Sequence, residues 1–167
     1  DAFQTLKGVL TNHKEVSAIW LSSNFNKFFT QYMKLLSRDN GNTAAGNHVD
    51  YVIARQSLSI LASVLLDRQF METMLQFVSS AEYLKDILVL LSNPSKVVQF
   101  EAFHIFKIFA ANPKKPAKVA KILRINTERI NKILDIIEQD RLDDLEFRQD
   151  KAAVLAKLES LSHIQES

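Results

Sequence analysis

The side chains best placed to do chemistry in this chain are an acid, a histidine and a lysine at regular spacing. Glu101, His104 and Lys107 follow one another at i, i+3 and i+6. In a helix this spacing puts them in one narrow stripe, while the rest of the surface is apolar. A histidine on such a stripe is more typical of a hydrogen-bonded groove residue than of a catalytic base. We therefore expect the stripe to face a wet groove.

The sequence lacks the patterns that enzymes and metal sites require. It has no Gly-rich phosphate loop, no HExxH and no nucleophile elbow, and its four histidines share no ligand spacing. Asp143, Asp144 and Glu146 lack the alternating oxygen ligands and central glycine of a calcium loop. With no cysteine there is neither a disulfide nor a thiolate site. We expect a protein that is not an enzyme, with no catalytic residue, no metal and no cofactor.

A second group of side chains is strongly basic. Five cations lie within eleven residues that contain no acid: Lys114, Lys115, Lys118, Lys121 and Arg124. A solvated helix face explains them without any function. An anchor for an acidic peptide is the first functional interpretation, since cations beside an apolar groove fix both charge and register. RNA binding is the alternative, although no aromatic residues for base stacking are interleaved.

These side chains must be positioned by helices. Residues 97–113 are apolar nearly all round, which is typical of the inner helix of a stacked helical repeat. Only three glycines and three prolines leave little material for a turn-rich β fold. Periodicity and capping residues predict helices over 1–12, 16–21, 24–37, 51–66, 70–78, 81–91, 97–113, 116–124, 127–139 and 145–164.

Composition limits the organisation of the chain. At 167 residues, 47% hydrophobic and 24% charged, it predicts one domain over residues 1–167. The glycine- and asparagine-rich segment 38–50 predicts a mobile insertion. No apolar run reaches the length of a membrane span. Because the chain starts at Asp1 with Ala2 and Phe3 already in helical register, we expect the natural protein to extend further towards its N-terminus.

An internal repeat supports the same architecture. Ala102, Phe103, Phe106 and Phe109 share their register with Ser57, Leu58, Leu61 and Val64, and again with Ala2, Phe3, Leu6 and Val9. Each copy is followed by shorter helices. The pattern predicts an all-α, armadillo/HEAT-like right-handed helical-repeat solenoid. An irregular helical bundle is the alternative, because apolar helices can share such spacing by chance.

Three stretches resemble the calcium-binding protein 39 family, whose fungal members include the hymA-like proteins. They are VVQFEAFHIFKIFAANPKK at 97–115, RQSLSILASVLLDR at 55–68 and DAFQTLKGVLTNHK at 1–14. The resemblance covers essentially the whole chain and corresponds to the family's C-terminal half. It implies a curved armadillo-type scaffold, a cytoplasmic location and, in fungi, a role in polarity and cell-separation signalling.

The resemblance also implies partners. Members of the family bind Sterile-20-like protein kinases or pseudokinases, through a groove for a Trp-Glu-Phe-type tail and through a concave surface that favours the active kinase. We accordingly expect a monomeric scaffold that binds such a kinase and its tail peptide, with no nucleic acid and no membrane as partner.

Particular residues match the two binding surfaces of the family. In the tail groove Arg55, Lys85 and Leu88 correspond to a groove arginine, a basic residue and a large apolar residue. A second groove cation of the family falls at Ile125, and Arg124 beside it is the expected substitute. We also place Phe103, His104 and Lys107 in this groove. On the concave, kinase-contacting face the matching residues are Arg68, Phe70 and Met71.

Overall fold

Helices account for the regular structure throughout the part of the chain that the computed structural model describes, residues 2–37 and 48–163. No strand occurs in these residues. The described residues form ten α-helices and one 3₁₀ turn, Arg68–Phe70, between the fourth and fifth of them. In chain order the helices are α1 (Ala2–Asn12), α2 (Lys14–Ser23), α3 (Phe25–Ser37), α4 (His48–Leu65), α5 (Met71–Val78), α6 (Ala81–Leu91), α7 (Lys96–Ala111), α8 (Ala117–Ile125), α9 (Thr127–Gln139) and α10 (Leu145–His163).

The predicted fold class, an all-α helical repeat, is confirmed. All ten predicted helices are present, and α6 and α9 have the predicted bounds. The predicted mobile insertion needs a correction, because residues 48–50 form the first turn of α4. Residues 38–47 of that segment lie outside the described part of the chain.

Helix ends are fixed by polar side chains next to the helices. Ser80 accepts a hydrogen bond from the backbone N–H of Tyr83 at the start of α6, at 3.2 Å. Ser95 does the same for Val98 at the start of α7, at 3.5 Å. Asp144 accepts from the N–H of Phe147 at 2.9 Å and so caps α10. Such caps satisfy N–H groups that have no partner within the helix.

The chain divides into two compact units, Asp1–Phe77 and Val78–Ser167, here called unit 1 and unit 2. The expectation of a single domain over residues 1–167 stays a prediction.

Unit 1 is built around a core shared by α1, α2, α4 and the 3₁₀ turn. Leu10, Leu21, Ile60, Val64 and Phe70 form this core. Next to it, the buried hydroxyl of Tyr32 on α3 donates a 2.7 Å hydrogen bond to the carbonyl of Ser57 on α4. Burial raises the pKa of Tyr32 well above its ordinary value, so the hydroxyl stays a donor and fastens α3 to α4.

Unit 2 is organised around α7. This helix packs against α6, α9 and α10, and α8 packs against α6, α9 and α10. The buried residues of α7 are Val98, Ala102, Phe103, Ile105, Phe106, Phe109 and Ala110. Burial on so many sides is what the all-round apolar pattern of this helix predicts.

The three copies of the repeat differ in burial. The copies on α7 and α4 are buried at all four positions. The copy on α1 is partly exposed, and Val9 keeps 63% of its surface accessible. Leu10 is the buried residue of α1 instead. The sequence register is thus matched by burial in two copies out of three.

Within the described residues, no helix combines the length and the apolar character needed to cross a bilayer.

Candidate partner-binding surface

Two of the predicted groove residues lie together on α6. Lys85 is exposed and Leu88 is half-buried, and their i, i+3 spacing places them one above the other on the same face of the helix. The ammonium of Lys85 lies 3.0 Å from the carboxylate of Glu82, in an ion pair whose side chains are both largely exposed. Such a pair contributes little to stability, so Lys85 can exchange Glu82 for another carboxylate at small cost.

A second cation and a second apolar side chain lie at the end of α8, which packs against α6. Arg124 is half-buried. Its neighbour Ile125 keeps 67% of its surface exposed. We call Lys85, Leu88, Arg124 and Ile125 the α6–α8 surface. It offers cationic and aliphatic groups to a partner.

Arg55 belongs to unit 1. It lies on α4 and its side chain is exposed. Ala54 and Ser57, which lie one residue before and two residues after Arg55, are buried in the interior. The local structure therefore holds the helix in place and leaves Arg55 accessible, and its role in tail binding stays a prediction.

The stripe of Glu101, His104 and Lys107 on α7 is half-buried. The ammonium of Lys107 lies 2.6 Å from the carboxylate of Asp150 on α10, and both side chains are mostly buried. The ring of His104 contacts that of Phe100 edge-on, with centroids 4.6 Å apart. Because α10 packs over α7 and pairs with Lys107, that lysine already has a partner within the fold. The expectation that the half-buried stripe lines a wet groove stays a prediction.

Phe103, which the sequence analysis placed in the tail groove, is fully buried. Its side chain has no accessible surface, and its ring packs against that of Phe147 at 4.9 Å. A peptide cannot touch it in this conformation. It supports the fold of unit 2 instead.

The electrostatics of His104 follow from this burial. Burial lowers its pKa, and the neighbouring Lys107 lowers it further, while Glu101, Asp150 and Glu146 act in the opposite direction. The histidine is therefore held in its neutral form around neutral pH.

The residues predicted to contact a kinase domain separate into two groups. Arg68 is exposed, and Met71 keeps 53% of its surface accessible. Phe70 lies between them but is buried in the core of unit 1, so it cannot make that contact directly. The Asp67 side chain fixes this turn, because it accepts hydrogen bonds from the N–H of Gln69 and from Lys14.

The basic run has two roles. The Lys115 ammonium donates to the carbonyls of Ala110 and Asn112, at 2.8 and 2.6 Å, and so closes the C-terminus of α7. Lys114, Lys118 and Lys121 are exposed. None of these three forms an ion pair with any residue in the described part of the chain.

Two arrangements in unit 2 escaped the sequence analysis. The buried ammonium of Lys151 bonds to both Asp135 and Glu138, which joins α10 to α9. The Arg141 guanidinium lies over the Phe100 ring, 3.3 Å from its centre. The charged residues of segment 141–144 are visible in the sequence, but their spacing does not indicate that Arg141 stacks on a ring. Nothing in the sequence marks Lys151 as buried.

A cleft of about 300 Å³ lies between α7 and α9. It is lined by Lys96, Val97, Gln99, Ile137, Asp140 and Arg141. Its cations already have partners: Lys96 pairs with Asp140 at 2.6 Å, and Arg141 pairs with Asp144 at 3.4 Å. The α6–α8 surface differs from this cleft in offering the exposed aliphatic Ile125 beside its cations. Within the described residues no three His, Asp or Glu side chains gather in a way that could hold a metal ion.

Comparison with known proteins gives a consistent result. The sequence pattern of the Mo25-like family matches residues 1–162. A Mo25-like protein of Schizosaccharomyces pombe is 42% identical over 161 residues, covering 96% of this chain and 46% of its own length. Human calcium-binding protein 39-like is 36% identical, and the match covers 96% of this chain and 45% of the human protein. The conidiophore development protein hymA of Emericella nidulans is 38% identical, and the match covers 96% of this chain and 40% of hymA. The chain spans about half the length of the curated relatives it matches.

Proposed function

The chain belongs to the Mo25-like family, and from that premise we propose that it is a non-catalytic scaffold that binds a Sterile-20-like protein kinase or pseudokinase through a short Trp-Glu-Phe-type tail. The observation that carries the proposal is the α6–α8 surface, in which an exposed lysine and a half-buried leucine share one face of α6.

The chemistry of such a tail fits this surface. An aromatic side chain at its end needs an apolar contact, which Leu88 and the exposed Ile125 offer. Its central carboxylate needs a cation, and Lys85 and Arg124 are the candidates in unit 2. Lysine and arginine both form charge-assisted hydrogen bonds to carboxylates, and arginine can do so with two N–H groups at once. We keep Arg55 as a further cation on the resemblance alone.

A second contact would involve the kinase domain itself. Arg68 and Met71 are the accessible residues for it in unit 1. Two contacts on one partner raise the apparent affinity, because the second binds at a high effective concentration once the first is made. The scaffold would activate the kinase only if it binds the active conformation more tightly than the inactive one.

Binding of a synthetic tail peptide tests the proposal. We expect Arg55→Glu and Lys85→Glu each to weaken binding of a fluorescent peptide ending in Trp-Glu-Phe at least tenfold, about 1.4 kcal/mol. Lys85→Glu places a carboxylate on the surface to which we assign the peptide's own carboxylate, and the expectation for Arg55→Glu follows from the resemblance. The measurement is a fluorescence-anisotropy titration.

The matched control is Arg148→Glu, which makes the same charge reversal at an exposed arginine of α10. It should leave the affinity within about twofold, because exposed charges that do not face the ligand contribute little. Equal affinities for all four proteins, with their helical content preserved, would remove the tail-binding assignment.

A further inference from the structure

The cations at the start and along α8 form a patch whose charge the fold itself leaves uncompensated. Lys114, Lys118 and Lys121 are exposed, and α10, which carries the exposed Lys157, packs against α8. Lys157 lies close enough to Lys115 to contribute to the lowering of that residue's pKa, after burial. We call Lys114, Lys118, Lys121 and Lys157 the lysine patch.

Other exposed lysines of the described residues, such as Lys27 and Lys132, also lack an ion pair, and what distinguishes this patch is the acid-free segment in which most of its lysines lie. None of its four side chains forms an ion pair within residues 2–37 and 48–163. The segment from residue 113 to residue 127 contains no acid at all. By contrast, Lys96, Lys107 and Lys151 elsewhere in unit 2 each pair with a carboxylate. Lys118 and Lys121 lie one turn apart on α8, so their like charges repel and the patch gains free energy when an anionic partner covers it.

The patch also has an apolar member. Lys118, Lys121 and Ile125 are spaced i, i+3 and i+7, which puts them on one face of α8. Ile125 is the strongly exposed aliphatic residue of the α6–α8 surface. The lysine patch therefore continues directly into the surface to which we assign the tail.

From this geometry we infer that the lysine patch binds an acidic stretch of the partner polypeptide next to its Trp-Glu-Phe-type tail. The inference rests on the proposed function for the location of the tail. Lys118 and Arg124 are about 9 Å apart along the helix axis, at 1.5 Å per residue. An extended peptide covers that distance with about three residues. The expected acidic stretch is therefore about three to five residues long and directly flanks the tail motif.

Polypeptide fits this patch better than nucleic acid. Within the described residues of unit 2, the strongly exposed large apolar side chains are all aliphatic, and single-stranded nucleic acid is typically bound by stacking its bases on aromatic rings. The whole chain has a net charge of only +2, far from that of a general polyanion binder. A short acidic segment matches the small extent of the patch.

Four probes test the inference by fluorescence anisotropy. They are a Trp-Glu-Phe-ended peptide with serine and glutamine before the motif, the same peptide with Asp and Glu there, a Glu-rich peptide without the motif, and an oligouridine RNA. We expect the acid-flanked peptide to bind roughly fivefold more tightly than the neutral-flanked one at low salt, from several weak exposed ion pairs. The advantage should shrink as the salt is raised, because screening weakens exposed pairs.

Lys118→Gln with Lys121→Gln should abolish that advantage and leave the neutral-flanked peptide unaffected. The control is Lys27→Gln with Lys132→Gln, which removes the same charge from two exposed lysines outside the patch and should keep the advantage.

Equal binding of the two motif peptides to the unmodified protein would overturn the inference while leaving tail binding intact. If neither motif peptide binds, the proposed function fails. In that case, the patch still has an acidic partner if the Glu-rich peptide binds the unmodified protein and does not bind Lys118→Gln/Lys121→Gln. Tighter binding of oligouridine than of the acidic peptides would overturn the inference in favour of RNA.

Discussion

The helices α7 and α8 are neighbours in the sequence and both carry lysines, but their lysines meet different surroundings. On α7, Lys96 and Lys107 each reach a carboxylate of a later element, Asp140 and Asp150, at 2.6 Å. On α8, Lys118 and Lys121 meet no carboxylate among the described residues. A charge paired in a mostly buried site, as Lys107 is, contributes to folding, whereas the exposed pair of Lys96 contributes little. A charge that the fold leaves unpaired is available to a partner.

The apolar residues of the two helices show the same contrast. Phe103, Phe106 and Phe109 of α7 are completely buried, whereas α8 buries Val119 and Leu123 but leaves Ile125 exposed. Substitution of the buried rings of α7 should therefore change stability, and substitution of the exposed residues of α6 and α8 should change binding. Three predictions test this division, beginning with the largest effect.

Truncation of a buried ring on α7 should be the most damaging change. We expect Phe103→Ala to lower the free energy of unfolding by about 3–5 kcal/mol, because it removes a fully buried ring and leaves a cavity. Urea unfolding followed by circular dichroism measures the change. Ile125→Ala is the control and should stay within about 0.5 kcal/mol, because that residue is mostly exposed. A loss below about 1 kcal/mol for Phe103→Ala would contradict its place in the core.

Loss of the Lys107 charge should have a smaller effect, on stability alone. Lys107→Met retains most of the apolar stem but leaves the mostly buried Asp150 without its cation, at a cost of about 1–2 kcal/mol. Affinity for the tail peptide should stay within about twofold, since Lys107 faces α10. Lys132→Met on α9 controls for loss of an exposed positive charge. If Lys107→Met unfolds at the same urea concentration as the unmodified protein but no longer binds the peptide, α7 is part of the binding surface.

The smallest effect should be a pH dependence due to His104. Burial and Lys107 lower its pKa below the ordinary 6.5, so the unfolded chain binds the proton more readily than the folded one. The contribution of neutral His104 to the stability of the fold is therefore complete above about pH 6.5. It is lost as the pH falls from there towards the pKa of His104 in the folded protein. We expect His104→Gln to flatten this decline in urea unfolding measured between about pH 5 and pH 8.

His13→Gln serves as the control for that experiment, because it removes an exposed histidine of unit 1. It should keep the decline seen in the unmodified protein. A decline that persists in full in His104→Gln would show that other groups are responsible, Glu101, Glu146 and Asp150 being the nearest acids.

The sequence predicts the helices well, for a physical reason. Apolar spacing along a helix reports directly on burial, so α7 could be recognised as an inner helix and Phe106 and Phe109 as core residues. Capping residues such as Ser80 mark helix starts through local hydrogen bonds, which the sequence also contains. These are interactions between residues close together in the chain.

The site is harder to predict because it depends on contacts between distant residues. A polar stripe indicates that Glu101, His104 and Lys107 need a polar environment, but it does not say whether water or another helix provides it. The carboxylate that pairs with Lys107 lies 43 residues later, on α10. Phe103 and Phe70 were assigned to binding surfaces by resemblance, and their complete or nearly complete burial is a property of the packing between helices. The exposure of Lys85 and of the lysine patch likewise follows from what packs against α6 and α8.

The central claim is that a partner tail binds α6 and α8 and leaves α7 untouched, and NMR tests it most directly. Titration of the ¹⁵N-labelled chain with the Trp-Glu-Phe-ended peptide reports on every backbone amide at once. The largest shift changes in unit 2 are expected around Lys85, Leu88 and Arg124, with those of His104 and Lys107 near the baseline. Changes centred on His104 and Lys107, or an absence of changes in α6 and α8 at saturating peptide, would contradict the claim.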